Sequence, residues 1–317
     1  MNDVLVIGIA TVDAIARTID EFPKPGGLRF FDQLALSTGG CAINCSLALA
    51  KLGVPCDTIA RVGTDMLGDF VVAELARHGM ATDGIVRDAS TSTAFSFACV
   101  ASSGERCFFH TRGADDRLCP ADVPPEWLGG RQLVFVAGTM VMEALDGEPT
   151  AQVLAAARAA GARTLLDTVY VEAMPRAQWQ RRVLPALPYV DYFVPSHAEA
   201  TAISGLTDVA AIARDFQACG ARNVVIKLGA EGAFCRSAEG VEQHVPAFRV
   251  PQVVDTTGAG DCWSAGFLVG LREKLPMAEA ARLGNAVAAH GIQASGATAG
   301  VKPLGDVRAF MQRGAGS

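Results

Sequence analysis

The sequence predicts an α/β protein: a doubly wound, mostly parallel sheet with a small antiparallel β lid. Three observations predict it. Apolar runs rich in Val, Ile and Leu recur at 4–9, 57–62, 132–137, 163–167, 190–194 and 222–228, as expected of strands buried on both faces. Stretches with helical character, such as 65–79, 150–160 and 207–219, lie between them and are long enough to serve as crossover helices. Two segments, 28–37 (LRFFDQLALS) and 94–110 (AFSFACVASSGERCFFH), are strand-like with no helix between neighbours, the second turning at Ser103-Gly104.

The chain opens on the run VLVIGIA with no basic leader before it, so a cytoplasmic location is expected. The Ala-rich segment 151–160 closes at Gly161, a glycine stop signal for a helix. The appended strands are expected as insertions at about 14–37 and 91–113 in one domain spanning 1–317. A projecting sheet of this kind can cover a cleft or form an oligomer contact, and an edge left unpaired favours a homodimer through it. Only Gly314 to Ser317 read as a loose tail.

Of the 317 residues, 50% are hydrophobic and 19% charged, enough apolar material for a buried sheet. The net charge of −6, with Lys and Arg scattered, argues against nucleic acid as a partner. No apolar run is long enough for a membrane span. The nine cysteines form no C-x-x-C pair and are read as reduced thiols, Cys41 and Cys45 included.

The most specific chemical signal is Val254-Asp255-Thr256-Thr257-Gly258-Ala259-Gly260-Asp261, followed by the helix-compatible CWSAGFLVGLREK. Gly258 and Gly260 let a ligand approach the backbone, and a helix that opens there points unpaired N–H groups outward. Phosphoryl transfer needs such donors, because charge on the γ-phosphate must be stabilised electrostatically. Asp261 in the same turn can take the proton of an attacking hydroxyl. A Gly-containing turn with Asp caps would look much the same if it were only structural. A second block, Gly39-Gly40-Cys41-Ala42-Ile43-Asn44 through Leu52-Gly53, combines a di-glycine helix start with Asn44, which offers a donor and an acceptor to hydroxyls.

Together, and in this order, the two blocks resemble the N- and C-terminal signatures of the ribokinase-like (PfkB) carbohydrate kinases, and the likeness runs from Val4 to about Pro303. The resemblance implies an ATP-dependent kinase that moves a phosphate to a small sugar or sugar acid, with Asp261 as base and residues 258–260 as anion hole. It implies acceptor contacts from Asp13, Gly39, Gly40 and Asn44; separately, Arg106, His110 and Arg112 in the lid segment can reach a phosphate or carboxylate on the acceptor, and a pair of solvated strand arginines would look the same. It places Lys227, Gly229, Gly232 and Asn285 beside the nucleotide. Mg²⁺ is implied through Glu199, and a K⁺ site through Asp255 and Thr257. The family commonly has Asn three residues before that Glu; here it is Ser196, whose hydroxyl can still reach a metal-bound water. Cys41 stands where relatives often carry Lys, so a monosaccharide or sugar acid leads over a phosphorylated sugar. A nucleoside kinase shares both signatures and remains the alternative, and a non-catalytic sugar sensor is disfavoured by Asp261 and the glycines. A dinucleotide oxidoreductase is disfavoured too, since Gly8-Ile9-Ala10-Thr11-Val12-Asp13 lacks G-x-G-x-x-G.

Overall fold

The computed structural model describes residues 2–103 and 105–313; the expected turn at Gly104 and the tail at 314–317 lie outside them. Nine strands build the main sheet: β1 (Val4–Gly8), β4 (Cys56–Gly63), β5 (Ile85–Asp88), β8 (Leu133–Thr139), β9 (Arg163–Thr168), β10 (Tyr192–Phe193), β11 (Asn223–Lys227), β12 (Ala233–Arg236) and β13 (Glu242–Val245). Their order is β13-β12-β11-β10-β9-β8-β1-β4-β5. All neighbours from β11 to β5 are parallel, while β12 and β13 pair antiparallel at one edge. That edge escaped the sequence reading because β13 alternates little and begins with three exposed polar residues. β10 also has only two residues, less than the run 190–194 suggests.

Helices cover both faces, as buried parallel strands require. They are α1 (Cys41–Lys51), α2 (Met66–Arg77), α3 (Pro125–Leu128), α4 (Glu148–Ala159), α5 (Arg176–Val183), α6 (His197–Ser204), α7 (Val209–Ala218), α8 (Ala259–Arg272), α9 (Met277–Gly291) and α10 (Leu304–Arg313). One core packs α1, α8 and α9 against Val4, Val6, Phe135 and Leu165; the other packs α4, α6 and α7 against Leu5, Ile7, Val134 and Val136. Alternate side chains of β1 and β8 therefore feed different cores. The sheet order reverses beside β1, and ligands of open α/β sheets bind at the carboxyl ends of strands near such a reversal.

A second sheet, β3-β2-β6-β7, is built from β2 (Thr11–Arg17), β3 (Gln33–Gly39), β6 (Ala94–Val100) and β7 (Arg106–Thr111). Its outer pairs are antiparallel and its central pair, β2 with β6, is parallel. The sequence reading had the strand begin at 28, but residues 28–32 are irregular and β3 starts at Gln33. Leu28 and Phe30 there are 79% and 88% exposed, so the apolar character of that segment is not explained by strand burial. Asp13, expected just past the first strand, lies inside β2.

Candidate active site

The site forms where the carboxyl ends of β1, β8, β9 and β11 meet the amino ends of α1 and α8. Gly258 caps α8 with φ +70°, and a Cβ there would come within 2.6 Å of Ala297; only glycine fits this left-handed, crowded position. Asp255 fixes the approach to it, one carboxylate oxygen accepting from Thr257 N at 2.9 Å and the other from Gly296 N at 3.0 Å. The Ala259 N–H closes a turn onto Thr256 O at 3.2 Å, so it is already used within the expected anion hole. The remaining first-turn amides of α8 carry the positive end of its dipole.

Asp261 follows in that first turn. Its Oδ2 accepts from Asn44 Nδ2 at 2.8 Å, which ties α8 to α1. Burial raises its carboxyl to about 6; the Asn44 hydrogen bond opposes the rise and the nearby charge of Asp167 adds to it. A carboxylate tuned upward but still ionised at neutral pH suits a general base. Burial, with the Asp261 carboxylate adding, pushes the Cys41 thiol well above its ordinary range, which disfavours a nucleophilic thiolate there.

Asn44 is divided between the two helices: Nδ2 donates to Asp261, while its buried Oδ1 is left without a partner. Burying an acceptor this way costs about 1–3 kcal/mol, and a ligand hydroxyl would remove the cost.

Asp167, at the end of β9, was missed by sequence reasoning. It accepts from Lys227 Nζ at 2.6 Å and from Ser264 Oγ of α8 at 3.2 Å. Burial works against the Lys227 charge, yet Asp167 and Glu199 outweigh it and hold the ammonium above its usual range. The available signal was LLDT, a carboxylate closing a buried parallel strand. Without the fold, nothing joined it to Lys227.

Glu199 is buried, not a solvated first-turn carboxylate. Its Oε2 accepts from Ser196 N at 2.7 Å and from Thr168 Oγ1 at 3.0 Å. Burial raises its pKa, with Lys227 opposing and Asp167 adding. The Ser196 Oγ accepts from Glu199 N at 3.4 Å, the reciprocal half of a capping box at the start of α6, a structural part the sequence did not show, and its O–H remains a donor. Among the described residues no cluster of three metal-ligating side chains is present. Mg²⁺ usually takes one or two carboxylates and completes its shell with water and phosphate oxygens, so Glu199 fits it as a single protein contribution.

A cavity of about 550 Å³ opens beside α8, lined by Lys227, Gly229, Gly232, Trp263 and Asn285 among others. Four of the residues expected beside the nucleotide are therefore brought together. Across the site, the small sheet offers a polar row. Ser37, Asp13, Ser96 and His110 are register partners on successive strands, hence on one face. Ser96 Oγ and His110 Nδ1 share a hydrogen bond at 3.0 Å. Burial raises Asp13, with Ser96 partly opposing, and Gly39 abuts its carboxylate so closely that any Cβ would collide with it. Gly40 follows as the cap of α1. Arg112 pairs with Asp116 at 3.2 Å, and the Arg106 side chain lies outside the described residues.

With this geometry in view, likeness to known proteins can be weighed. The family model described as pfkB family carbohydrate kinase matches residues 1–303. An uncharacterised sugar kinase of Escherichia coli (strain K12) is 30% identical over 90% of this chain and 87% of its own. The 2-dehydro-3-deoxygluconokinase of Bacillus subtilis (strain 168) is 28% identical over 90% of both chains. Among solved structures, the Arabidopsis thaliana ribokinase complexed with ribose and ATP superposes with a TM-score of 0.87 at 22% identity, over 98% of this chain and 99% of that one.

Proposed function

The chain belongs to the pfkB family of carbohydrate kinases, and from that premise we propose that it phosphorylates a hydroxyl of a small sugar or sugar acid with Asp261 as the base. The observation that carries this reading is the Asn44–Asp261 contact at 2.8 Å. It joins the helix that faces the acceptor to the helix that receives the phosphate, so both reactants meet at one carboxylate.

The residues divide the work as follows. Asp13, Asn44 Oδ1 and the backbone of Gly39 and Gly40 hold the acceptor, with Ser96 and His110 extending the polar row. Asp261 accepts the proton from the acceptor hydroxyl as its oxygen bonds to the γ-phosphorus and the bond from that phosphorus to the bridging oxygen breaks, releasing ADP. The Gly258–Gly260 turn and Lys227 draw charge from the γ-phosphate. Glu199 would hold Mg²⁺ through its water shell, and the ion would supply charge neutralisation across the phosphates. Asp255 and the Thr257 carbonyl are the oxygens we assign to K⁺, where an ion would stiffen the turn ahead of Gly258.

In this reading the chain is one domain in which the small sheet, inserted at about 14–37 and 91–113, is the acceptor lid. Its outer face supports a homodimer. Phe22 packs edge-on against Phe109 and Phe31 against Phe97, yet Phe22, Leu34, Leu36 and Phe109 stay 50–60% exposed. Contiguous apolar surface of that kind favours a partner. Nine cysteines without disulfides fit a cytoplasmic setting, and no helix among the described residues is long and apolar enough to cross a membrane.

The deciding experiment is ADP release over a panel of sugars, sugar acids and nucleosides with ATP and Mg²⁺. A sugar or sugar acid should be the best acceptor. Turnover confined to nucleosides would replace the acceptor assignment and leave the base in place.

A further inference from the structure

We infer that the donor cavity reads the phosphates but not the base, so that guanosine and adenosine triphosphates serve almost equally. This rests on the reading above of that cavity as the donor site. The two purines differ at their edges: adenine presents a donor at C6, guanine an acceptor there and a donor at C2. Telling them apart takes a polar group held to face that edge. A site built that way can reject the wrong partner by about 10⁴-fold or more, whereas an apolar wall rejects a near-isostere by about 10²-fold at most.

The polar side chains lining the cavity are Lys227, Arg249, Thr256 and Asn285. Lys227 is pinned to Asp167 at 2.6 Å and, with Thr256, belongs to the end where α8 begins. Asn285 is the side chain that the family resemblance puts beside the nucleotide, but its carboxamide already makes three hydrogen bonds within the protein. Its Nδ2 donates to Val245 O and Pro246 O, both at 3.0 Å, and its Oδ1 accepts from Trp263 Nε1 at 2.8 Å. It is a positioning residue that ties the end of β13 to α9 and holds Trp263 against the cavity.

Arg249 is exposed at the rim. A guanidinium only donates, and the N7 acceptor it could reach is common to both purines. The rest of the wall away from α8's first turn is apolar: Phe248, Val250, Val253, Ala288, Ala289 and Ile292. Such a wall rewards the area of a flat base and is indifferent to its edge.

The test is competition by ATP, GTP and ITP against a fluorescent ATP analogue on the full chain with Mg²⁺, which needs no acceptor. Affinities within about tenfold of one another are expected. ATP favoured over GTP by more than about a hundredfold would overturn the inference alone, since backbone groups would then be reading the edge. If no nucleotide competes, the cavity is not the donor site and both readings fall. Asn285→Asp keeps the acceptor for Trp263 and removes both donated bonds. It should weaken ATP and GTP by the same factor, and a loss confined to ATP would make Asn285 a base reader and overturn the proposal.

Discussion

Every residue of β1 and β8 is buried, whereas β3 of the small sheet begins with four exposed residues, two of them leucines. The main sheet is sealed by helices on both faces, so the groups at its carboxyl end are held by the fold alone: Asp167 by Lys227 and Ser264, Asp261 by Asn44. The small sheet is finished on neither face. One side carries a polar row with a carboxylate that burial has raised, and the other an aromatic surface open to solvent. On the proposed reading, chemistry sits on the part of the molecule that cannot move cheaply, and recognition on the part whose faces the chain leaves open.

The sharpest test of that division is Asp261→Asn, which keeps shape but cannot accept a proton. It should lower kcat by roughly 10²–10⁴-fold with nucleotide affinity little changed, measured on one preparation. The wild-type kcat should decline as pH falls through about 6, where Asp261 protonates. The same shift has a stability consequence of opposite sense. A carboxyl raised from 3.8 to about 6 makes the fold carry its ion at a cost of up to about 3 kcal/mol. That cost is present above pH 6 and disappears as pH falls toward 4. Asp261→Asn should therefore raise Tm at pH 8 and lose the gain at pH 4; an equal gain at both would mean packing, not charge, is responsible.

Next in size is the proposed acceptor face of the small sheet. Asp13→Ala should cut kcat/KM for the acceptor by roughly tenfold to a hundredfold, the scale of a lost hydrogen bond to a polar ligand, while KM for ATP holds. A defect in ATP alone would place the acceptor elsewhere.

The outer face is probed by Leu36→Asp with Phe109→Ser. Sedimentation should show a dimer becoming a monomer, with far-UV circular dichroism unchanged. A wild-type protein that is monomeric at micromolar concentration would remove the dimer.

The smallest effects should separate the capping box at α6. Ser196→Ala removes a helix cap and should cost about 1 kcal/mol of stability with near-normal turnover. Glu199→Gln should raise the Mg²⁺ concentration needed for half-maximal rate severalfold. If the serine change were the one to raise the Mg²⁺ requirement, the hydroxyl would be serving metal-bound water after all.

The sequence by itself determined the class of fold and the two ends of the site. Buried parallel strands leave uninterrupted Val/Ile/Leu runs, and the glycines preceding Asp261 and Asn44 are local demands of backbone geometry, visible wherever they occur. Only the tertiary structure decided which polar atoms are spent on the protein and which are left for a ligand. Asn285 was legible as a candidate beside the nucleotide but not as a tether for Val245, Pro246 and Trp263. Asp167 and Lys227 are sixty positions apart, and no local pattern pairs them. Ser196 was legible as a residue beside Glu199, but its capping of α6 was not. A side chain's type states how many hydrogen bonds it can make; which of them are already made depends on neighbours that distant parts of the chain bring in, and burial sets the cost of leaving any unmade.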